Sequence, residues 1–525
     1  MHTDVPSKES KGSKRSKSRK GLSPQSLFDL FDSSTSSTLS TSAVRGARRL
    51  SFACRLVSAG TLLMVVTLGG LSAARGQDIL RILEEEMTAP PPAGAKVLPE
   101  GEGPPAGTNP IAEEEKKEEE AAPPAPWSLT DLWDQDDGSN VLKDNQWRIG
   151  GNIDQSFTGN WSSPRDRFNG PVTWTDRSNE YELNQAWLYF ERATDTTKQD
   201  WDVGGRFDGF FGSNARFDTE TGLENNNFGF NNRHAFYGFA LPQFYLETAY
   251  KKLKIKWGHF ISPVGYFTVD MTQNFFNTLP YTFQYGEPFT HTGAIATYPM
   301  NDKWTFGGGV VRGWDNFDSS GVGTSNLAAI LQATYTWEDK SSLYWFSITS
   351  NEANGFGTNV SPRYLQTVVY SKPLNDKWNY VAQSDFGIQS NTNNAVGGGT
   401  SRWYGLNQYL FYVCNDRVTF GFNFEWFRDE EGYRVGGFLP VSPGTPATVA
   451  TRGLPLNRVG YVGNFFQWTW GPKIQLTQKP NVFLRPNIRW DYFNGVAANP
   501  GGLLPYDDGR KRYQGILAVD LFVLF

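Results

Sequence analysis

Beyond Asn145 the chain is a succession of segments in which every second side chain is apolar, as in a strand whose two faces meet different media. In one of them Val482, Leu484, Ile488, Trp490 and Tyr492 alternate with Arg485, Asn487, Arg489 and Asp491. In the last, Tyr513, Leu517, Val519, Leu521, Val523 and Phe525 share a face and Asp520 points the other way. Val418, Phe420, Phe422, Phe424 and Trp426 likewise oppose Thr419, Asn423 and Glu425. Candidate strand cores lie at 146–160, 182–194, 200–212, 240–251, 253–261, 291–299, 303–315 and 325–338. Eight more follow at 341–351, 361–373, 376–389, 401–414, 416–430, 461–477, 479–494 and 511–525. Links after even-numbered strands are short and turn-like (Asn301-Asp302, Glu338-Asp339, Asn375-Asp376, Asn415-Asp416), whereas most links after odd-numbered strands are longer and rich in Gly, Asn and Pro. A soluble sheet would cover its apolar face with a core, but no helical segment here could do so. The pattern predicts an all-β fold, a transmembrane antiparallel up-and-down β-barrel of about sixteen strands, apolar outside and polar around a lumen. A charge facing lipid at mid-membrane costs roughly 2–4 kcal/mol, which accounts for the consistent sorting of charges to one parity.

The N-terminal quarter has a different texture and divides the chain at 1–76, 77–126 and 127–525. Arg45, Arg48, Arg49 and Arg55 precede an uncharged run from Leu56 to Leu71, and Ala74-Arg75-Gly76 follows it. This is the plan of a signal peptide cleaved before Gln77; the alternative is an uncleaved inner-membrane anchor. The segment ahead of the basic cluster is long for such a signal, and the basic residues from Lys8 to Lys20 sit among serines as disordered presequence. Gln77 to Met87 could form one short amphipathic helix. Residues 88–126, with three proline runs and the block EEEKKEEE at 113–120, cannot bury a core and read as a disordered, solvated periplasmic linker. Trp127 to Asp137 forms a last helical turn before the barrel.

Composition removes competing classes. Only 38% of residues are hydrophobic, too few for a bundle of spanning helices that each need ~20 consecutive apolar residues, while 15% are aromatic and 54 are Gly. The two cysteines, Cys54 and Cys414, make no disulfide framework, since Cys54 falls in the segment expected to be removed. A net charge of −5 without a concentrated basic surface argues against nucleic acid. His234, His259 and His291 have no metal-ligand spacing, and Gly307-Gly308-Gly309 and Gly397-Gly398-Gly399 open no helix, so no cofactor or metal is expected. No nucleophile motif marks an enzyme; a membrane-embedded hydrolase would use a Ser with a His at a strand end such as His259.

Several motifs are familiar. Within Phe157 to Arg192 stand Gly159-Asn160-Trp161, Asn169-Gly170-Pro171-Val172, Asp176-Arg177-Ser178-Asn179-Glu180-Tyr181 and Asn184-Gln185. Further on come Gly258-His259-Phe260, the stretch Tyr285 to Gly293, Arg312-Gly313-Trp314-Asp315-Asn316 and Glu425-Trp426-Phe427-Arg428-Asp429. Over about residues 127–525 the chain resembles the β-barrel porin type 2 (OmpL-like) family of bacterial outer membranes. The resemblance implies a porin with no assigned substrate, set in outer-membrane lipid and passing small hydrophilic solutes or ions; a homotrimer follows by analogy with general porins. The last strand with its terminal Phe525 resembles the signal read by barrel-assembly machinery. A plugged barrel acting as surface receptor or envelope anchor is the alternative.

The link from Ser262 to Thr290 is too aromatic for a solvated loop: Phe275, Phe276, Tyr281, Phe283, Tyr285 and Phe289 want burial. By resemblance to general porins it folds into the lumen and brings Asp270 and Glu287 to a constriction; otherwise it packs outside on its neighbours. Alternation places Arg485 and Arg489 inside, with Arg510, Arg512 and Arg148 on the inward parity near the closing seam and Lys254 and Lys256 on the inward face of strand five. These cations either set a transverse field opposite an acidic loop or brace the wall through salt bridges.

Overall fold

The structure, a computed structural model, describes residues 128–220, 222–224, 236–318, 327–353, 360–392, 396–435, 460–478, 481–498 and 502–525. The signal peptide, the linker, Trp127 and His234 of the sequence reading lie outside the described residues.

Sixteen strands follow one another: β1 (Trp147–Asn160), β2 (Glu180–Arg192), β3 (Trp201–Gly212), β4 (Gly238–Tyr250), β5 (Leu253–Ile261), β6 (Thr290–Pro299), β7 (Trp304–Val311) and β8 (Ala328–Thr336). They continue as β9 (Ser342–Ala353), β10 (Val360–Asn375), β11 (Trp378–Thr392), β12 (Gly399–Asn415), β13 (Val418–Asp429), β14 (Tyr461–Gln478), β15 (Asn481–Ala497) and β16 (Tyr513–Leu524). Each pairs antiparallel with its sequence neighbours, and β1 closes on β16 in a register running from Asn152↔Leu524 to Asn160↔Ile516. Closure leaves no strand edge with open backbone groups, the condition for a sheet in lipid. Every strand end but one falls within three residues of its expected place. The exception is β7, which stops at Val311 where Gly313 (φ 83) and Asp315 (φ 55) turn the chain inward to bury Trp314.

The short turns reuse one device. Asn301 Oδ1 accepts from the backbone N–H of Lys303 and Trp304, both at 2.9 Å. Asn375 does the same for Lys377 and Trp378, and Asn415 for Arg417 and Val418. An Asx side chain thus supplies the acceptor that a two-residue turn lacks. The link between β2 and β3, residues 193–200, is the longer one at this end; Asp195 folds it by accepting from Thr197 N at 2.8 Å. Cross-strand aromatic pairs mark the same rim: Trp201 with Tyr250 at 4.5 Å, Trp304 with Tyr335 at 4.7 Å and Trp378 with Tyr412 at 4.6 Å between ring centroids. They form the girdle expected where lipid headgroups meet a barrel.

Side-chain sorting follows the sequence pattern. On β1 Ile153 and Phe157 are exposed on the outer face, whereas Asn152, Asp154, Ser156 and Thr158 are buried on the inner one. A large buried cluster of aromatic and aliphatic residues nevertheless lies within the barrel. It is built where loops from the long-loop end turn inward, and Trp174 of the first such loop packs on Phe217 of the second and on Phe283 and Phe289 of the third.

Candidate functional site

The third long loop, residues 262–289, runs inside the lumen and is bonded to inward-facing groups on most sides of the wall. Near its start the Tyr344 hydroxyl of β9 donates to Pro263 O at 2.6 Å, and Tyr266 N donates to Gln383 Oε1 of β11 at 3.0 Å. The loop then crosses to the closing seam. Gln185 of β2 donates to Val269 O and accepts from Met271 N, while Asn152 of β1 donates to Asp270 Oδ1 at 3.1 Å. It descends along β15, passes Glu425 of β13, receives the Trp403 indole N–H of β12 on Gly286 O at 3.0 Å, and returns to β11 at Glu287. Of the aromatic side chains expected to seek shelter, Phe276, Tyr281, Phe283, Tyr285 and Phe289 are buried and Phe275 is half-buried. Phe275 lies against Gly421 of β13, where a Cβ would sit 2.2 Å from the ring, so only glycine leaves room for it.

Arg485 and Arg489 lie on the inward parity of β15, fully enclosed between wall and loop. Arg485 Nε donates to Asp520 Oδ2 at 2.8 Å, and its Nη1 donates to Met271 O at 2.9 Å and to Asn274 O at 2.5 Å. Arg489 pairs with Asp491 at 2.8 Å and donates to Leu279 O. Between them Asn487 donates to Asn277 Oδ1 at 2.6 Å. Each guanidinium therefore spends one edge on a carboxylate and the other on a loop carbonyl. This fork geometry suits arginine and not lysine. Glu425 completes the seat by accepting from Tyr281 N and Thr282 N, both at 2.6 Å, at the start of the short helical turn Thr282–Gly286.

Asp270 and Glu287 are both buried. Asp270 is turned toward the seam, where its carboxylate also accepts from Thr272 N and Gln273 Nε2. Glu287 is turned toward β11, where Gln383 donates to it. The remaining predicted cations sit elsewhere. Lys254 and Lys256 face the lumen near the short-turn end and are partly exposed; Lys254 Nζ lies 3.6 Å from Glu247, and Lys256 Nζ 4.7 Å from the Tyr245 ring centroid. Arg148, exposed, faces Glu191 across the β1–β2 register. Arg510 and Arg512 are exposed at the opposite, long-loop end: Arg510 pairs with Asp507 at 3.0 Å and Asp508 at 2.8 Å, and Arg512 donates to Gly495 O. The structure thus sets Arg485 and Arg489 beneath successive stretches of the internal loop, with Asp270 at the adjoining seam, and leaves Lys254, Lys256 and Arg148 apart from them in a vestibule near the short-turn end.

Sequence reasoning passed over Arg206, which joins the vestibule through Glu191 at 3.4 Å and Asp208 at 2.7 Å with its Cζ 4.3 Å from the Tyr189 ring centroid. Of the acids that partner the loop, it passed over Asp385 and named Asp491 only as an alternating position without a role. Each occupies an inward position in an alternating segment, and that parity was the available signal. Two histidines are held by hydroxyls: His259 Nδ1 lies 2.7 Å from Thr292 Oγ1, and His291 Nε2 lies 2.9 Å from Ser262 Oγ with both of the latter side chains buried. Among the described residues no group of three or more His, Cys, Asp or Glu could hold a metal.

Solved structures of similar fold include the outer membrane channel DcaP of Acinetobacter baumannii, 12% identical over 72% of this chain and 97% of that one with a TM-score of 0.44. OprB of Pseudomonas putida is 11% identical over 73% and 95%, TM-score 0.44. An anion-selective porin from Comamonas acidovorans is 9% identical over 72% and 99%, TM-score 0.46. Among curated proteins none matches the chain. The model of one sequence family does match it, over residues 146–525. That match spans all sixteen strands, and the chain belongs to the family described as "Putative beta-barrel porin-2, OmpL-like".

Proposed function

We propose that this porin lets small hydrophilic solutes or ions diffuse passively, with weak selectivity, through its lumen in the bacterial outer membrane. The observation that carries the reading is the internal loop. It is fixed to the wall by buried Arg485 and Arg489, so it narrows the lumen at one depth, while Lys254, Lys256, Arg206 and Arg148 stay in contact with solvent at the short-turn end. Charges placed beside such a passage tune which ions enter it. The test is reconstitution of the folded barrel in a planar bilayer, where stepwise conductance increments are expected.

A second reading is favoured by one feature. In the long-loop half, inward side chains such as Trp403, Phe427, Phe465 and Phe493 are buried by loops. A barrel plugged there would serve as a surface receptor or envelope anchor, with the acidic segment 77–126 reaching into the periplasm. Persistent electrical silence from folded protein would support it. Export by the N-terminal signal, recognition of the last strand by assembly machinery, and a homotrimer belong to the first reading. β5 to β8, at 9, 10, 8 and 9 residues, are the shortest strands and barely meet the ~9–11 that cross a bilayer, so this side is where we place a neighbouring protomer.

A further inference from the structure

We propose that Glu287 and Asp385 share one proton as a latch that holds both ends of the internal loop on β11, and that loss of the proton frees those ends and loosens the constriction; the consequence for conductance rests on the pore reading above.

The geometry centres on Gln383. Its Nε2 donates to Glu287 Oε1 at 2.5 Å and to Asp385 Oδ1 at 2.9 Å, so a single amide nitrogen gathers the loop carboxyl and the wall carboxyl. Its Oε1 accepts from Tyr266 N at 3.0 Å, which ties the other end of the same loop to the same residue. The Thr367 hydroxyl of β10 also donates to Asp385 Oδ1. What remains is Glu287 Oε2 and Asp385 Oδ2, both buried and both without a hydrogen-bond partner. Gathered on one amide nitrogen, the two carboxyls are within hydrogen-bonding reach of each other, close enough for one proton to be shared between them.

The surroundings leave no other neutralising group. The groups that act on the pair through their charge are Glu425 of β13, Tyr344 of β9 and Tyr409 of β12, whose hydroxyl is itself without a hydrogen-bond partner. Among the described residues no Lys, Arg or His forms an ion pair with either carboxyl. Two ionised carboxylates held this closely and away from water cannot coexist without a cation. Burial, and then the Asp385 carboxyl, push Glu287 well above the usual carboxylate range. Glu287 lies against its own loop at Gly265 (φ 74), where a Cβ would come within 2.3 Å of Oε1, so only glycine leaves room for the carboxyl in this position. When the proton passes to solvent base, two like charges face each other across the loop–wall contact, and the movable partner is the loop.

The test combines amide exchange with conductance, for the folded full barrel and for Glu287→Gln and the double change Glu287→Gln with Asp385→Asn. These amides copy the protonated shapes and cannot titrate. In the unaltered protein, exchange at the Tyr266 amide, corrected for its intrinsic rate, is expected to speed about tenfold or more between pH 5 and pH 9, with a matching rise in conductance. Both variants should keep their pH 5 behaviour throughout. Exchange at Tyr266 that is indifferent to pH in the unaltered protein, or that responds equally in Glu287→Gln, overturns the latch. Exchange that follows the expected pattern in a barrel that never conducts keeps the latch and removes the pore reading.

Discussion

Arg485 and Lys254 begin alike: both are cations at inward positions of alternating strands, on β15 and β5. Their fates differ entirely. Arg485 is sealed under the internal loop in a 2.5 Å ion pair with Asp520, whereas Lys254 is over a third exposed in a vestibule and 3.6 Å from Glu247. Parity decides which side of the sheet a residue faces. Depth within the lumen is decided by where loops return, and that depends on contacts between residues more than two hundred positions apart, such as Arg485 with Met271. The sealed cation is a structural fastener, because its charge is consumed by one carboxylate and two carbonyls. The vestibule cation keeps a charge that a passing ion can feel.

Removing the fastener should have the largest effect. Arg489→Met leaves Asp491 buried and unpaired, and breaking such a pair costs roughly 3–5 kcal/mol. We expect a drop of that size in the unfolding free energy of the barrel in detergent or lipid, measured by urea titration, with loop amides near Leu279 losing exchange protection. Adding Asp491→Asn should restore most of the loss, since no charge is then stranded. A drop under about 1 kcal/mol for Arg489→Met would mean that the pair holds nothing.

Next comes a change that evicts the loop without touching charge. Gly421→Val places a side chain in the space of the Phe275 ring, and overpacking of this kind costs about 1–3 kcal/mol. Conductance should increase as the aromatic segment shifts from β13. Unaltered conductance would place the current path away from Phe275.

The strands were legible in the sequence because lipid and water impose a period of two with little room for exceptions, and the Asx turns at Asn301, Asn375 and Asn415 announce where each hairpin reverses. The burial of the internal loop was legible too, in the six aromatic side chains between Phe275 and Phe289. What stayed hidden was pairing. Nothing local in the sequence says that Asp385 and Glu287 share the Gln383 amide, or that Arg489 is satisfied by its own neighbour Asp491, two positions along the same strand face. Asp270 and Glu287 looked like one acidic rim, yet the loop's course sends the first to the seam and the second to β11.

Vestibule changes should affect transport and leave the fold intact. Lys254→Gln with Lys256→Gln is expected to shift the reversal potential in a salt gradient toward cation preference, while unfolding free energy stays within about 0.5 kcal/mol. An unchanged reversal potential would detach these lysines from the ion path and weaken the contrast with Arg485.

The smallest effect belongs to a contact outside the barrel wall. Asp508, in the loop before β16, accepts from Arg165 N at 3.0 Å and Asp166 N at 2.8 Å, clasping the first long loop. Burial first, and then Asp508, raise the Asp166 carboxyl to about 6, while the backbone N–H groups of Asp166 and Arg165, with Arg510, hold Asp508 below its ordinary value. With its folded pKa raised, Asp166 binds more protons in the clasp than when released between about pH 4 and pH 6, so clasp stability falls as pH rises through that window. Asp508, held below its ordinary value, opposes this slope at the acid edge of the window and adds none above about pH 5. Exchange at the Arg165 and Asp166 amides should therefore quicken modestly between pH 5 and pH 7 beyond the intrinsic rate. Asp166→Asn should abolish that excess, and an excess that survives the substitution would assign the pH response to another group at the barrel mouth.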